Sequence, residues 1–135
     1  MNNQQQTRGN EPSKFKPFFN ADGSLVLDWV GEEAKKLAEK VCYAKDHGLK
    51  ATGLRNFYNE FLRIKSLPAG HEEEKIVLIK LLVAKVQYKK ISNNAPAIFA
   101  DFITQLVKEI GNSVERFEKA CLIMEALVGY NPRYK

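Results

Sequence analysis

The side chains of this 135-residue chain best placed to do chemistry are its cations. Lys and Arg number 21 against 16 Asp and Glu, a formal charge of +5. An excess of that size leans toward a polyanionic partner. It is concentrated in the middle of the chain, where Lys75, Lys80, Lys85, Lys89 and Lys90 follow one another with no acid between them. On a helix Lys85 and Lys89 share a face, with Tyr88 close by. Upstream, Arg55 and Arg63 lie along one side of an apolar stripe, and Lys50 just precedes it. Cations held at fixed helical spacing can grip phosphate oxygens without reading bases. The candidate binding residues are therefore Lys50, Arg55, Arg63, Lys85 and Lys89. The same cations also suit an ordinary solvated face, and the charge pattern alone leaves both readings open. Tyr58 and Tyr88 carry a similar pair of readings, stacking on a base or packing in the fold.

Other chemistry finds little support. His47 and His71 sit beside predicted helix ends, far apart, with no HExxH or comparable ligand spacing. Neither GxxxxGK[ST] nor GxGxxG occurs. Glu72, Glu73 and Glu74 could hold a metal, but they also complement a helix dipole. The two cysteines, Cys42 and Cys121, form no CxxC, which argues against a disulfide scaffold or a zinc finger. Both sit at or beside apolar positions and read as buried, inert thiols. The expectation is a protein with no catalytic residues, no metal and no cofactor. Its longest apolar run, 76–86, is broken by Lys80 and Lys85 and falls short of the ~18–20 residues of a membrane span. The polar N-terminus lacks the apolar stretch of a signal peptide. A cytoplasmic protein is expected.

These side chains need elements to position them. Residues 1–13 are polar and predict a flexible tail, leaving 14–135 as a single domain. Phe15, Phe18 and Phe19 are too apolar to stay in water, so this arm should pack somewhere, and Asp22-Gly23 marks a turn. Asp28 is a candidate cap for a first helix over 29–47, with Val30, Ala34, Leu37, Val41 and Ala44 on one arc and Gly48 as a left-handed stop. A second helix starts near Thr52, its expected cap, and carries Leu54, Phe57, Tyr58 and Phe61 at i, i+3, i+4 and i+7. Pro68 and Gly70 end it.

A third helix over 72–91 opens on acids and closes on Lys89 and Lys90. It is apolar nearly all round, which predicts a central position. Asn94 or Ala95, followed by Pro96 in a first turn that tolerates it, opens a fourth helix bearing Ile98, Phe99, Phe102, Ile103, Leu106, Val107 and Ile110, and Gly111 stops it. Asn112 or Ser113 caps a fifth, to about Gly129, with Phe117, Cys121, Met124 and Val128 inward. Pro132 closes the structured part. No stretch alternates with period two. The fold class is all-α, a compact bundle of about five helices.

The stretch Leu49-Lys50-Ala51-Thr52-Gly53-Leu54-Arg55-Asn56-Phe57-Tyr58 resembles the Leu-Thr-Thr-Ser-Gln-Leu-Arg-x-Phe-Tyr motif of the small subunit of type III-A CRISPR interference complexes, the Csm complex. Lys85-Val86-Gln87-Tyr88 resembles that family's Lys-x-x-Tyr on a long helix. Glu125-Ala126-Leu127-Val128-Gly129-Tyr130 resembles its closing Glu-Ala-x-Val-Ala-Tyr. Order, spacing and size fit from about Trp29 to Tyr130. Lys50, Ala51 and Gly53 depart from the first motif, and Asn131-Pro132 replaces the His-Lys that follows the last. Arg55, Lys85, Tyr88 and Tyr130 match.

The resemblance implies a non-catalytic helical subunit, stacked head to tail in a filament inside a ribonucleoprotein. It would hold the duplex of CRISPR RNA and target RNA beside the backbone and large subunits, which carry the cutting chemistry. In that setting the third helix and the Phe arm would supply surface for neighbours, Tyr130 would be core, and Arg133 and Lys135 would either touch RNA or fray. The other reading that the residues allow is a helical protein–protein adaptor with a merely solvated basic face.

Overall fold

The computed structural model describes residues 14–132. The expected tail at 1–13 lies outside them, as do Arg133 and Lys135. Among the described residues there are five α-helices: α1 Glu32–Cys42, α2 Ala51–Lys65, α3 Glu72–Ile91, α4 Ala97–Ile110 and α5 Val114–Tyr130. A 3₁₀ turn, Leu27–Val30, precedes α1. The extended chain before it makes one isolated bridge, Phe19 with Leu25.

The helix ends follow from local chemistry. α3 begins on Glu72, Glu73 and Glu74 and ends on Lys89 and Lys90, as the helix dipole favours. Ser113 caps α5, its hydroxyl accepting from the Arg116 N–H at 3.1 Å. The first N–H of α4, on Ala97, donates to Asp46 Oδ2 at 2.8 Å, so a residue from the α1–α2 connection caps this helix. Pro96 itself stands at the cap position, just outside the first turn. Gly111 closes α4 at φ +60°, where a side chain would be strained.

Two helix starts differ from the sequence expectation. The first helix does not run over 29–47. Gly31 separates the 3₁₀ turn from α1, and α1 stops at Cys42. Asp28 caps nothing; it lies inside the 3₁₀ turn and pairs with Lys16 at 3.0 Å. Gly48 does not enter the left-handed region. It is required because a Cβ there would lie 2.2 Å from the Cys42 carbonyl oxygen, as the chain folds back to bond Leu49 N–H to Val41 O. In α2, Lys50 stands at the cap position and Thr52 falls within the first turn.

The central helix is α5, which touches the other four helices and the 3₁₀ turn. Helix α3 is not central. It buries only Lys75, Ile79, Leu82 and Val86, one narrow stripe against α4 and its neighbours. Its pattern is apolar all round, but its outer face stays in water. α4 buries seven residues. Aromatic rings join the layers: Phe57 meets Phe99 edge-on at 5.3 Å, and Phe61 stacks on Phe117 at 5.4 Å.

The Phe arm docks on its own chain. Phe15, Phe18, Trp29 and Phe102 form one cluster, with Phe18 and Trp29 centroids 4.6 Å apart. Gln105 grips Phe15 at both its N–H and its carbonyl, and the Phe18 N–H donates to Glu109 Oε1 at 2.8 Å. The Trp29 indole donates to the Pro17 carbonyl at 3.1 Å. Phe18 and Phe19 of the arm are therefore buried within the chain's own fold. No helix among the described residues is long and apolar enough to cross a membrane.

Candidate functional site

Helices α2 and α3 splay enough to leave a cleft of about 520 Å³ between them. Asn56, Phe57 and Glu60 line it from α2, Ala84, Lys85, Tyr88 and Lys89 from α3, and Asn94 from the following turn. Helical spacing explains the set. Positions 56 and 60 share a face of α2, and 84, 85, 88 and 89 share one of α3, so each helix turns polar groups to the same gap. Phe57 and Val86 are buried just behind, which fixes the helix rotations that aim them.

The electrostatics centre on Glu60. Lys85 Nζ donates to Glu60 Oε1 at 2.8 Å across the cleft, and Arg63 Nη2 pairs with Glu60 Oε2 from one turn along α2. Hydrogen bonding from Lys85, with the charges of Lys85 and Arg63 beside it, holds the Glu60 carboxyl below its ordinary value. Two cations, Arg63 and Lys85, thus pair with one carboxylate, and Lys89 lines the same cleft. Side chains of Lys85 and Arg63 keep half or more of their surface in water. An incoming phosphate could share these cations, with Asn56 and Asn94 offering amide donors and acceptors to sugar and phosphate.

Of the five expected cations, the cleft brings together Lys85, Lys89 and, through Glu60, Arg63. It does not gather Lys50 or Arg55. Lys50 sits exposed at the start of α2. Arg55 lies on a different side of α2, near half-buried Tyr58, whose hydroxyl is shifted up by burial and by Glu125 and slightly down by Arg55. Lys75, part of the basic run in sequence, packs its stem in the buried stripe and is 7% exposed. Tyr88 does not pack in the core, being 71% exposed on the cleft wall. Tyr130, expected in the core, is 42% exposed.

Glu60, Asn56 and Asn94 were not among the expected residues. The Glu60–Arg63 spacing, i to i+3, was readable on a helix; the approach of Lys85, 25 positions away, was not. His71 pairs with Glu74 at 3.0 Å as a helix-end histidine. Both thiols are buried, and burial pushes the Cys121 thiol up to about 12. No group of three or more His, Cys, Asp or Glu that could hold a metal occurs among the described residues.

Compared with known families, residues 26–135 match the model of Csm2 Type III-A. No curated protein and no solved structure matches the chain.

Proposed function

The chain belongs to the Csm2 Type III-A family and is a small subunit of the type III-A CRISPR effector, the Csm complex; from that premise we propose that it is a non-catalytic RNA-holding brick of that effector. Its copies stack in a head-to-tail filament. They steady the duplex of CRISPR RNA and target RNA through phosphate contacts that ignore sequence. Its partners are the backbone and large subunits, and its compartment is the cytoplasm. The fold from 14 to 135 acts as one domain. The observation that carries the reading is the α2–α3 cleft, where Lys85 and Arg63 pair with a single carboxylate and Lys89 lines the same gap, all on helices. Rigid elements keep phosphate-gripping charges at fixed spacing. Lys50 and Arg55 are further proposed phosphate contacts on α2, outside the cleft.

One observation favours the adaptor alternative. Glu60 already engages both Lys85 and Arg63, as an inter-helix tie with no RNA would. Binding of mixed-sequence RNA by the purified chain separates the two. In the proposed function the affinity is weak, falls as salt rises through counterion release, and drops for all sequences alike in an Arg55→Glu, Lys85→Glu double variant. Binding that ignores both salt and the double variant overturns the RNA reading and leaves the adaptor. RNA cleavage by the pure chain would overturn the non-catalytic one.

A further inference from the structure

The α2–α3 cleft holds more than the charge that a phosphate needs. On its α3 wall Ala84 and Tyr88 stand one turn apart, and Lys85 and Lys89 stand one turn apart beside them. The wall therefore has an apolar row next to a cationic row. Side chains on a helix lean toward its N-terminus, which carries the Tyr88 ring over Ala84, and a single methyl there leaves room for a flat partner. Tyr88 is 71% exposed, while Phe57 gives the cleft a buried apolar floor. A phosphate gains nothing from such a ring and floor. A nucleobase does, because every base has a face that stacks.

The polar groups fit the same ligand. Asn56 reaches the gap from α2, and Asn94 lines it just beyond the end of α3. The backbone sets Asn94 in place: Asn93 takes the left-handed φ of 63°, and the Asn94 N–H turns back to the Lys89 carbonyl at 2.7 Å. The Asn94 side-chain nitrogen donates to the Ser92 hydroxyl at 3.1 Å, so the amide is anchored and offers its oxygen. An Asn amide both donates and accepts, so Asn56 serves the edge of any base. The cleft volume of about 520 Å³ is that of a small-ligand site, ~300–1,000 Å³. A perfect duplex keeps its bases stacked inside and leaves this cavity unfilled. A nucleotide swung out of the stack fills it.

We propose that the cleft takes one unpaired nucleotide swung out of the RNA stack, its base against Tyr88 and its flanking phosphates on Lys85 and Lys89. The inference rests on the RNA-holding reading and deepens it, since the ligand is then a single extruded nucleotide and not paired backbone alone.

Titration of the full chain with three labelled RNAs tests it: a perfect duplex, the same duplex with a one-nucleotide bulge, and that bulge with an abasic residue in place of the nucleotide. The two bulged RNAs carry the same phosphates, so the ratio of their affinities reads the base alone. The base-bearing bulge should bind about tenfold tighter than the abasic one. Tyr88→Ala should erase that ratio and Tyr88→Phe should keep it, with circular dichroism verifying the fold of both variants. Equal binding of the two bulged RNAs overturns the nucleotide site and leaves the RNA reading standing. A ratio that survives Tyr88→Ala, or that is lost in Tyr88→Phe, overturns the ring as the stacking platform and the proposal with it. Failure to bind any of the three RNAs, the perfect duplex included, is a different result, and it overturns the RNA reading itself.

Discussion

At the scale of single residues, Glu60 is where the site can be interrogated most directly. Its carboxyl is held low in the folded state, first by the Lys85 hydrogen bond. The folded chain therefore binds fewer protons at this position than the unfolded chain. The resulting stability is fully present above the unfolded value near ~4.3 and is lost as pH falls through the lowered folded value. Glu60→Gln should remove that acid limb, measured as urea stability against pH, at a cost of about 0.5–1 kcal/mol at neutral pH. The same change should tighten RNA binding, since Lys85 and Arg63 are then free to meet phosphate. The slope of log affinity against log salt should steepen by about one contact's worth. Unchanged RNA affinity in Glu60→Gln would mean that these cations serve only the tie between helices. Cys121 gives a second test. Its thiol, pushed up to about 12 by burial, should resist alkylation at pH 8 in the native chain and react promptly in denaturant. The cations and the cysteines were legible in sequence because identity and neighbours are enough to nominate them. Glu60 was not, because its meaning depends on a partner 25 positions away. Arg55 was legible as a cation, but its position outside the cleft was not, because position on a helix wheel does not say which neighbour lies across from it.

Among the elements, helix ends marked by local signals were readable from the sequence, and capping from a distance was not. α3 carries its own acidic start and basic finish, so its bounds of 72 and 91 were plain from the sequence. Ser113 caps the α5 that follows it. Asp46 caps α4 from 51 positions away, and no local pattern announces that. Asp46→Ala should destabilise the chain to an extent comparable with Ser113→Ala, by denaturant titration. If Asp46→Ala costs nothing while Ser113→Ala does, the long-range cap is not an energetic contributor. Gly48 was read as a helix stop from residue type alone. Its real constraint is the backbone approach to Cys42, which only three-dimensional folding creates. The rotation of α3 was misjudged for a related reason. Apolar residues on all sides of a helix show that it can be surrounded, and the single chain surrounds only one side of it.

Across the whole molecule, the N-terminal arm is packed and hydrogen-bonded into the helical body, so the two should unfold together. Sequence alone showed that Phe15, Phe18 and Phe19 needed cover. It did not show where, because the cover comes from Trp29 and from Phe102, Gln105 and Glu109 on α4, about ninety positions on for the hydrogen-bond partners. Phe18 is fully buried against two aromatic rings. Phe18→Ala should therefore cost about 3–5 kcal/mol, and the milder Phe18→Leu keeps the test readable if the alanine variant does not fold. A detachable arm that swings out to grip a neighbour predicts something different. Its loss would barely alter the stability of the helices, and its amides would exchange far faster than theirs. Hydrogen exchange resolves the two. The Phe15 and Phe18 N–H groups bond to Gln105 and Glu109 side chains, so they should exchange only on openings that also release α4. Protection of these two amides within about tenfold of the α4 core amides marks the arm as part of the fold. Exchange near the rate of an unstructured chain would return the arm to the pool of surfaces available to other subunits.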